Sequence, residues 1–307
     1  MKNNKDTKSE KTRTVSTDVQ DDLDLLPARK RLRKTVIVLL LLCGAFAWIL
    51  YGDFHLTVSD YVYENAKIDD NLDGFRIVQI SDLHNTLFGI SNSKLVSRVV
   101  ELNPDIIVIT GDIIDSSHTD MTTAINFVRD MTSIADVYYV TGNHEFWISD
   151  EERQFLLDEM AKCGAIIADN GSITIEYNGS SFALFGLGDN NLCNDTLSTL
   201  IDEYNAENMT DDYFSVLLAH EPQYISRYAR CGMDLVLAGH AHGGQIVVPF
   251  IGPLYAPDQG FSPEYVSGRY DEGMTTMYVS RGLGNSVIPV RIFNDPEIVC
   301  IDLKKAE

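Results

Sequence analysis

The chain has 307 residues, of which 45% are hydrophobic, so it can bury the core of one large domain or of two small ones. Its formal net charge of −21 is unevenly spread, since residues 1–34 carry +4 and the rest of the chain carries −25. A domain this acidic is not expected to bind nucleic acid, because that binding depends on neutralising phosphates with lysine and arginine. The five cysteines form no C-x-x-C pair, which argues against a zinc ribbon or a thioredoxin-like motif.

The N-terminal region predicts a tail and a membrane anchor. Residues 1–34 are polar, end in the basic cluster Arg29–Lys34, and are predicted to be a disordered cytoplasmic tail. The uncharged run Thr35–Tyr51 has 17 residues. As a helix it would be about 26 Å long, a short but sufficient span for a hydrocarbon core of about 30 Å. The positive-inside rule then places residues 52–307 outside the cytoplasm in a single-pass protein of the cell membrane. An A-x-A site leaves cleavage after Ala47 as an open alternative.

From Phe75 onward, short β-branched runs alternate with helical stretches. The predicted strands are Arg76–Ile80, Asp105–Thr110, Val137–Thr141, Phe182–Gly186, Phe214–Ala219 and Leu235–Ala238. The predicted helices are Lys94–Leu102, Thr122–Met131, Asp150–Cys163, Thr196–Asn208 and Gln223–Arg230. Alternation of this kind predicts βαβ crossovers and a parallel sheet.

Other segments add antiparallel pairing and a loop. Asn178-Gly179 predicts a hairpin between Ile173–Tyr177 and Phe182–Leu187. Further strands are expected at Met274–Ser280 and Glu297–Leu303, and His55–Val58 is expected to begin an edge strand. The segment Pro249–Tyr270 is rich in glycine, proline and tyrosine, so we expect a long surface loop there. The sequence therefore predicts a mixed α/β fold.

Five of the predicted strands are each followed immediately by residues that can bind metal ions. These residues are Ser81-Asp82-Leu83-His84, Gly111–Asp115, Gly142-Asn143-His144-Glu145, His220-Glu221-Pro222 and Gly239–Gln245. Ligands of open α/β sheets gather beyond the carboxyl ends of the strands. The D-x-H and H-x-H spacings place two side chains on one side of an extended segment. Carboxylates and imidazoles together suit Mn, Fe or Zn. Each motif alone is common, but their joint appearance in order predicts a metal centre.

These five blocks resemble the calcineurin-like metallophosphoesterase superfamily over about Gly74–Leu303. The stretches Tyr278–Gly284 and Pro289–Glu297, with the apolar N-terminal segment, resemble its bacterial membrane-anchored branch. The resemblance implies a four-layer α/β/β/α sandwich, here preceded by one transmembrane helix. It implies one ion held by Asp82, His84, Asp112 and His242, and a second held by Asp112, Asn143, His220 and His240. It also implies that His144 contacts the phosphate and is the general acid, and that Asp115 orients His144.

The expected activity is hydrolysis of phosphate esters or pyrophosphates, through attack by a hydroxide that bridges two divalent or trivalent ions. The expected substrate is a phosphorylated small molecule or a lipid, since the anchor would hold the site near lipid headgroups. The alternative is a catalytically silent, metal-stabilised binding module at the membrane surface, which the presence of His144 and Asp115 disfavours. A nuclease is disfavoured by the acidity of the domain.

Four aromatic residues and two arginines outside the ligand motifs each have a functional and a structural interpretation. Four aromatic residues of the predicted loop are candidates for contact with a lipid or a membrane surface, although single exposed aromatics are common. They are Phe250, Tyr255, Phe261 and Tyr265. Arg281 and Arg291 are expected to form structural ion pairs rather than to bind phosphate, because the domain is so acidic.

Overall fold

The computed structural model describes residues 30–44, 47, 52, 54–189, 194–208, 210, 212–286 and 289–306. The chain forms two compact units, Met1–Leu50 and Tyr51–Glu307. In the first unit, residues 30–44 are helical (α1), and the apolar side chains from Val36 to Leu42 are between 45% and 68% exposed. No helix within these described ranges has both the length and the hydropathy needed to cross a membrane. Residues 1–29 of the predicted tail, and residues 45–46 and 48–51 of the predicted anchor, lie outside the described residues.

The second unit contains sixteen described strands and six described helices. In chain order the strands are β1 (Thr57–Asn65), β2 (Arg76–Ile80), β3 (Ile106–Thr110), β4 (Asp136–Val140), β5 (Ile166–Ile167), β6 (Gly171–Tyr177), β7 (Ser180–Gly186), β8 (Ser215–Leu218), β9 (Leu235–Ala238), β10 (Val247–Val248), β11 (Gly252–Pro253), β12 (Tyr255–Ala256), β13 (Gly260–Phe261), β14 (Gly268–Glu272), β15 (Thr275–Val279) and β16 (Glu297–Lys305). The helices are α2 (Ser93–Leu102), α3 (Met121–Thr132), α4 (Asn143–Phe146), α5 (Asp150–Lys162), α6 (Asn194–Asn208) and α7 (Ile225–Arg230).

Twelve of these strands form two six-stranded sheets. The first sheet has the order β1-β16-β2-β3-β4-β5, with β2 to β5 parallel and β16 antiparallel to β2. The second has the order β14-β15-β9-β8-β7-β6, with β7, β8, β9 and β15 parallel and both outer strands antiparallel to their neighbours. The predicted mixed α/β architecture is confirmed, and β1 is an edge strand as expected.

Burial on both faces of each sheet produces four layers. Alternate residues of β3 point to opposite faces, so Val108 enters the core between the two sheets while Ile107 and Ile109 enter the core beneath α2, α3 and α5. On the second sheet, Val236 packs under α6 and α7, whereas Leu235 and Leu237 face the first sheet. Near-continuous apolar runs are typical of parallel strands covered on both sides. The result is the α/β/β/α sandwich that the resemblance implied.

Local signals set several element boundaries. Tyr177 pairs with Ser180 across the two-residue turn Asn178-Gly179, whose φ angles of 48° and 84° are the left-handed values that such hairpins require. Helix α5 begins at the predicted cap, since the Ser149 hydroxyl accepts a hydrogen bond from the backbone N–H of Glu152. The predicted helix Gln223–Arg230 instead starts with a 3₁₀ turn at Pro222–Tyr224.

The expectation of one long loop over Pro249–Tyr270 was wrong in part. This segment contributes to two small hairpins, in which Val247 pairs with Pro253 and Tyr255 pairs with Phe261, and it ends in β14. Strands of two residues are too short to show the alternation that identifies a strand in a sequence. The hairpins place this segment against the edge where the polar motifs meet.

Candidate metal centre

The seven sequence-predicted ligands meet at one edge of the two sheets. Each follows the carboxyl end of β2, β3, β4, β8 or β9, and the two sheets bring these ends together. All seven are buried, with at most 8% of the residue exposed. They are Asp82, His84, Asp112, Asn143, His220, His240 and His242.

The backbone at this edge is strained. Five of the seven candidates have left-handed φ angles between 46° and 67°, a conformation that side chains other than glycine rarely adopt. These five are Asp82, His84, Asp112, His240 and His242. Such strain costs about 1–3 kcal/mol per residue and is typical of functional sites, where the surrounding structure imposes it.

Asp82, His84 and His242 form the first cluster, with one ligand atom from each within 4.8 Å of the others. Nε2 of His84 lies 3.2 Å from Nε2 of His242, and the latter lies 3.6 Å from Oδ1 of Asp82. Burial lowers the pKa of His84 to about 3. Burial, followed by the nearby Arg291 guanidinium, also lowers the pKa of His242. Both rings are therefore neutral, which is the form that binds metal ions.

Asp112, His220 and His240 form the second cluster, and Asn143 joins it. Nδ1 of His220 donates to the carbonyl of Thr110 at 2.7 Å, so Nε2 of the neutral ring presents a lone pair. That nitrogen lies 3.1 Å from Oδ1 of Asn143 and 3.2 Å from Oδ2 of Asp112, which are both acceptors. Nδ1 of His240 lies 2.9 Å from the same Asn143 oxygen.

Acceptors that face one another in a buried site need a cation or a proton between them. Burial favours the neutral form of His220, but the Asp112 carboxylate outweighs it and raises the pKa of His220 in the cation-free protein. Oxygen and imidazole nitrogen donors fit Mn, Fe or Zn. The donor set of both clusters therefore fits a pair of metal ions.

Asp112 lies between the two clusters. Its Oδ1 accepts a hydrogen bond from the backbone N–H of His144 at 2.8 Å, which fixes the carboxylate. Its Oδ2 lies 3.2 Å from Nε2 of His220 in one cluster and 3.6 Å from Nε2 of His84 in the other. One oxygen atom is thus within reach of both groups of ligands.

His144 stands beside the centre with a defined tautomer. Its Nδ1 accepts a hydrogen bond from the backbone N–H of Ser116 at 3.0 Å, so the proton of the neutral ring is on Nε2. Nε2 lies 3.2 Å from the hydroxyl of Ser286, which lines the same cavity. Asp115, the predicted orienting residue, is 3.8 Å from Nδ1 and accepts instead from the N–H of Ser117 at 2.8 Å. Ser116, which no sequence signal singled out, is the direct partner.

Two further side chains support the centre, and the sequence analysis gave neither a role. The buried carboxylate of Glu145 accepts from the backbone N–H groups of Asp112 at 2.9 Å, Ile113 at 3.0 Å and Gly142 at 2.8 Å. Burial, followed by the Asp112 charge, raises the pKa of Glu145 to about 8. Asp258, in the turn between β12 and β13, has Oδ2 2.9 Å from Nε2 of His240. Glu145 belongs to a motif that was recognised, whereas nothing in the sequence around Asp258 marks it.

The centre opens into a cavity of about 590 Å³ whose lining is both polar and apolar. Its polar lining includes the candidate ligands Asp112, Asn143, His240 and His242 together with His144. Its apolar lining consists of Trp147, Ile246, Leu254, Tyr255, Pro257 and Phe261. Two of the four aromatic residues singled out in the sequence, Tyr255 and Phe261, line the cavity.

The two arginines have structural partners. Arg281 forms the expected ion pair, 3.2 Å from Glu297. Arg291 is fully buried, and its guanidinium donates to the backbone carbonyls of Arg281 and Gly284 at 2.9 and 2.6 Å. It also lies 3.5 Å from Nδ1 of His242, so it packs behind the first cluster.

The fold and the site define a metal-dependent hydrolase of phosphoric esters. A family model described as calcineurin-like phosphoesterase matches residues 75–244, and the chain belongs to this family. The family is dimetal-dependent, which agrees with the two ligand clusters.

Curated relatives agree with this assignment. The chain is similar to the uncharacterized metallophosphoesterase YkuE of Bacillus subtilis, with 32% identity over 85% of this chain and 90% of the relative. It is 26% identical to the phosphodiesterase YaeI of Escherichia coli, over 78% of this chain and 85% of the relative. A Bos taurus transmembrane protein with a metallophosphoesterase domain is 30% identical over 78% of this chain, which spans 55% of that protein.

Proposed function

We propose that the chain hydrolyses phosphate esters or pyrophosphates with two metal ions that share Asp112. Asp82, His84 and His242 complete one ion site, and Asn143, His220 and His240 complete the other. The observation that carries this assignment is the position of Asp112 Oδ2, within 3.2 Å of His220 and 3.6 Å of His84. Bound ions of this type supply Lewis acidity toward phosphate oxygens and lower the pKa of water.

In this proposal His144 is the general acid. The backbone N–H of Ser116 holds Nδ1 as an acceptor, so Nε2–H is available to hydrogen-bond a phosphate oxygen and to protonate the leaving oxygen. Asp115 stabilises the turn that presents Ser116, because it accepts from the N–H of Ser117. Asp115 is thus a positioning residue, and His144 is the residue that touches the substrate.

The substrate proposed is a phosphate ester or pyrophosphate with an apolar group, for which a lipid-linked phosphate is the main candidate. The support is the cavity, whose lining combines candidate ligands and His144 with aromatic and aliphatic side chains. An apolar group next to the phosphate would cover those apolar side chains.

We further propose that residues 35–51 anchor the chain in the cell membrane, with residues 1–34 as a cytoplasmic tail and residues 52–307 outside the cytoplasm. The exposed apolar side chains of α1 and the basic residues that precede them support this arrangement. The name of the Bos taurus relative is in keeping with it.

Two substitutions test the roles in the centre. Asp112→Asn is expected to abolish turnover and to lower the metal content by at least one ion per chain. His144→Asn is expected to keep both ions and to lose most of the rate, with a larger loss for poor leaving groups than for p-nitrophenol. His118→Asn is the matched control, because His118 is an exposed histidine close to the same turn.

The measurements are metal analysis and turnover of monoester, diester and pyrophosphate substrates with added Mn. Wild-type turnover and full metal content in Asp112→Asn would refute the shared-ligand assignment. An equal loss of rate for good and poor leaving groups in His144→Asn would remove His144 from the role of general acid.

A further inference from the structure

Large apolar side chains are exposed to solvent at the cavity and in the hairpin next to it: Trp147 and Phe261 line the cavity, and Phe250 and Ile251 lie between its lining residues Ile246 and Leu254 in the chain. Phe250 is fully exposed, and Phe261, Ile251 and Trp147 are 86%, 75% and 62% exposed. Phe250 and Ile251 occupy the turn between β10 and β11, and Phe261 lies in β13. We call these four residues the rim. Large exposed apolar side chains in segments that line one cavity indicate an interaction surface rather than scattered exposure.

The rim lies at the carboxyl-end edge of the sheets. Trp147 follows β4, and the two hairpins that carry the other three residues follow β9. Met274, in the turn that precedes β15, is an exposed apolar side chain at the opposite edge. Because β15 runs parallel to β9, its first residue is at the end of the sheet remote from the metal ligands.

The chain enters the second unit at the same edge as the rim. β16 is antiparallel to β2, so its first residue, Glu297, is near the carboxyl end of β2. β1 is parallel to β16, and its first residue, Thr57, pairs with Glu297. Five residues, 52–56, separate Thr57 from residue 51, the end of the proposed anchor. The proposed anchor is therefore joined to this edge of the domain by a short segment of the chain.

We propose that the rim docks on the lipid bilayer and that the cavity opens at the level of the lipid headgroups. This inference rests on the proposed anchor and on the proposed lipid-linked substrate. The bilayer, rather than a protein partner, is the occupant because the apolar segment precedes the domain by so few residues, and because Phe261 and Trp147 of the rim also line the cavity.

The net charge of the domain indicates whether docking is driven by electrostatic attraction or by apolar insertion. Residues 35–307 carry −25, so attraction to an anionic leaflet does not drive it. Docking occurs through insertion of Phe250, Ile251 and Phe261, since aromatic residues favour the membrane–water interface. It is therefore expected on zwitterionic lipid and at high salt.

The chain offers a direct test because it has only two tryptophans, Trp48 and Trp147. The full-length chain with Trp48→Phe and Trp147→Phe receives a single reporter, Phe250→Trp, or Met274→Trp as the matched exposed control at the other edge. Each is reconstituted with dioleoylphosphatidylcholine vesicles that contain dibrominated phosphatidylcholine, which quenches nearby tryptophan. The emission at position 250 is expected to fall severalfold more than the emission at position 274, with no change in 0.5 M salt.

A second measurement uses Phe250→Ser/Ile251→Ser in the otherwise unchanged chain, since neither residue lines the cavity. The substrates are soluble bis-p-nitrophenyl phosphate and a p-nitrophenyl ester of phosphatidic acid embedded in the vesicles. Turnover of the lipid ester is expected to fall about tenfold or more, which corresponds to the loss of burial of one large apolar side chain. Turnover of the soluble diester is expected to be unchanged.

The two measurements distinguish a failure of the docking proposal from a failure of the proposed phosphoesterase function. Absent quenching at position 250, equal quenching at both positions, or failure of the chain to float with the vesicles overturns the docking, whatever the activity. Unchanged turnover of the lipid ester in the double variant also overturns it. If the parent chain with Mn hydrolyses none of the monoester, diester and pyrophosphate substrates, the proposed function fails, and the docking is then decided by the quenching alone.

Discussion

Two glycines with nearly the same positive φ angle allow the geometry of the centre to be tested. Gly111, between β3 and Asp112, has φ +87°, and Gly179, in the β6–β7 turn, has φ +84°. A Cβ atom at position 111 would lie 2.6 Å from the backbone nitrogen of Gly142 and 2.6 Å from Nδ1 of His220. At position 179 it would have no described atom within 4 Å. Gly111→Ala and Gly179→Ala therefore share the conformational cost and differ in packing.

The magnitudes follow from that comparison. Alanine in the left-handed conformation costs roughly 1–2 kcal/mol, and we expect this loss of stability in both variants. Overlap with a packed backbone adds about 1–3 kcal/mol, which applies to Gly111→Ala alone. To relieve the overlap, the turns that carry Asn143 and His220 must move apart. A displacement of about 1 Å at a catalytic site costs on the order of a hundredfold in rate.

Equilibrium urea unfolding of residues 51–307, which form one compact unit, measures the stability difference, and hydrolysis of bis-p-nitrophenyl phosphate with saturating Mn measures the rate. We expect Gly179→Ala to keep wild-type turnover and Gly111→Ala to lose about a hundredfold. Equal stability losses together with normal turnover in both variants would show that the close approach of the turns at Gly111 is not needed.

Three further predictions concern the support of the centre. Glu145→Ala leaves three buried N–H groups without their acceptor, so it should lower the free energy of unfolding in urea by about 3 kcal/mol or more. The control Glu152→Gln, at the exposed cap of α5, should lower it by under about 0.5 kcal/mol. Similar losses of stability in both variants would contradict the role of Glu145. Asp258→Asn should weaken Mn binding about 10–100-fold in a metal titration, because His240 loses its carboxylate partner, and an unchanged affinity would exclude that role. Chelation should abolish turnover and lower the melting temperature, since the clustered acceptors then lack a cation, and Mn should restore both; a melting temperature insensitive to metal would contradict this.

Much of the fold could be predicted because its signals are local. β2 and β9 have the bounds that their β-branched runs predicted, the Asn178-Gly179 turn formed its hairpin, and Ser149 capped α5. The small hairpins within Pro249–Tyr270 were missed, because strands of two residues have no periodicity.

The positions of the candidate metal ligands could be predicted from the sequence. Each follows a strand, and strands of a parallel sheet end at one edge, so the order of the motifs predicted that they meet there, while the resemblance to the family implied which seven residues are the ligands. Tertiary structure decided what lies behind and around them. Asp258 reaches His240 from a turn 18 residues later, Ser116 rather than Asp115 contacts His144, and the apolar rim shares an edge with the start of β1. These relations depend on how distant segments pack, and no local pattern of residues records that packing.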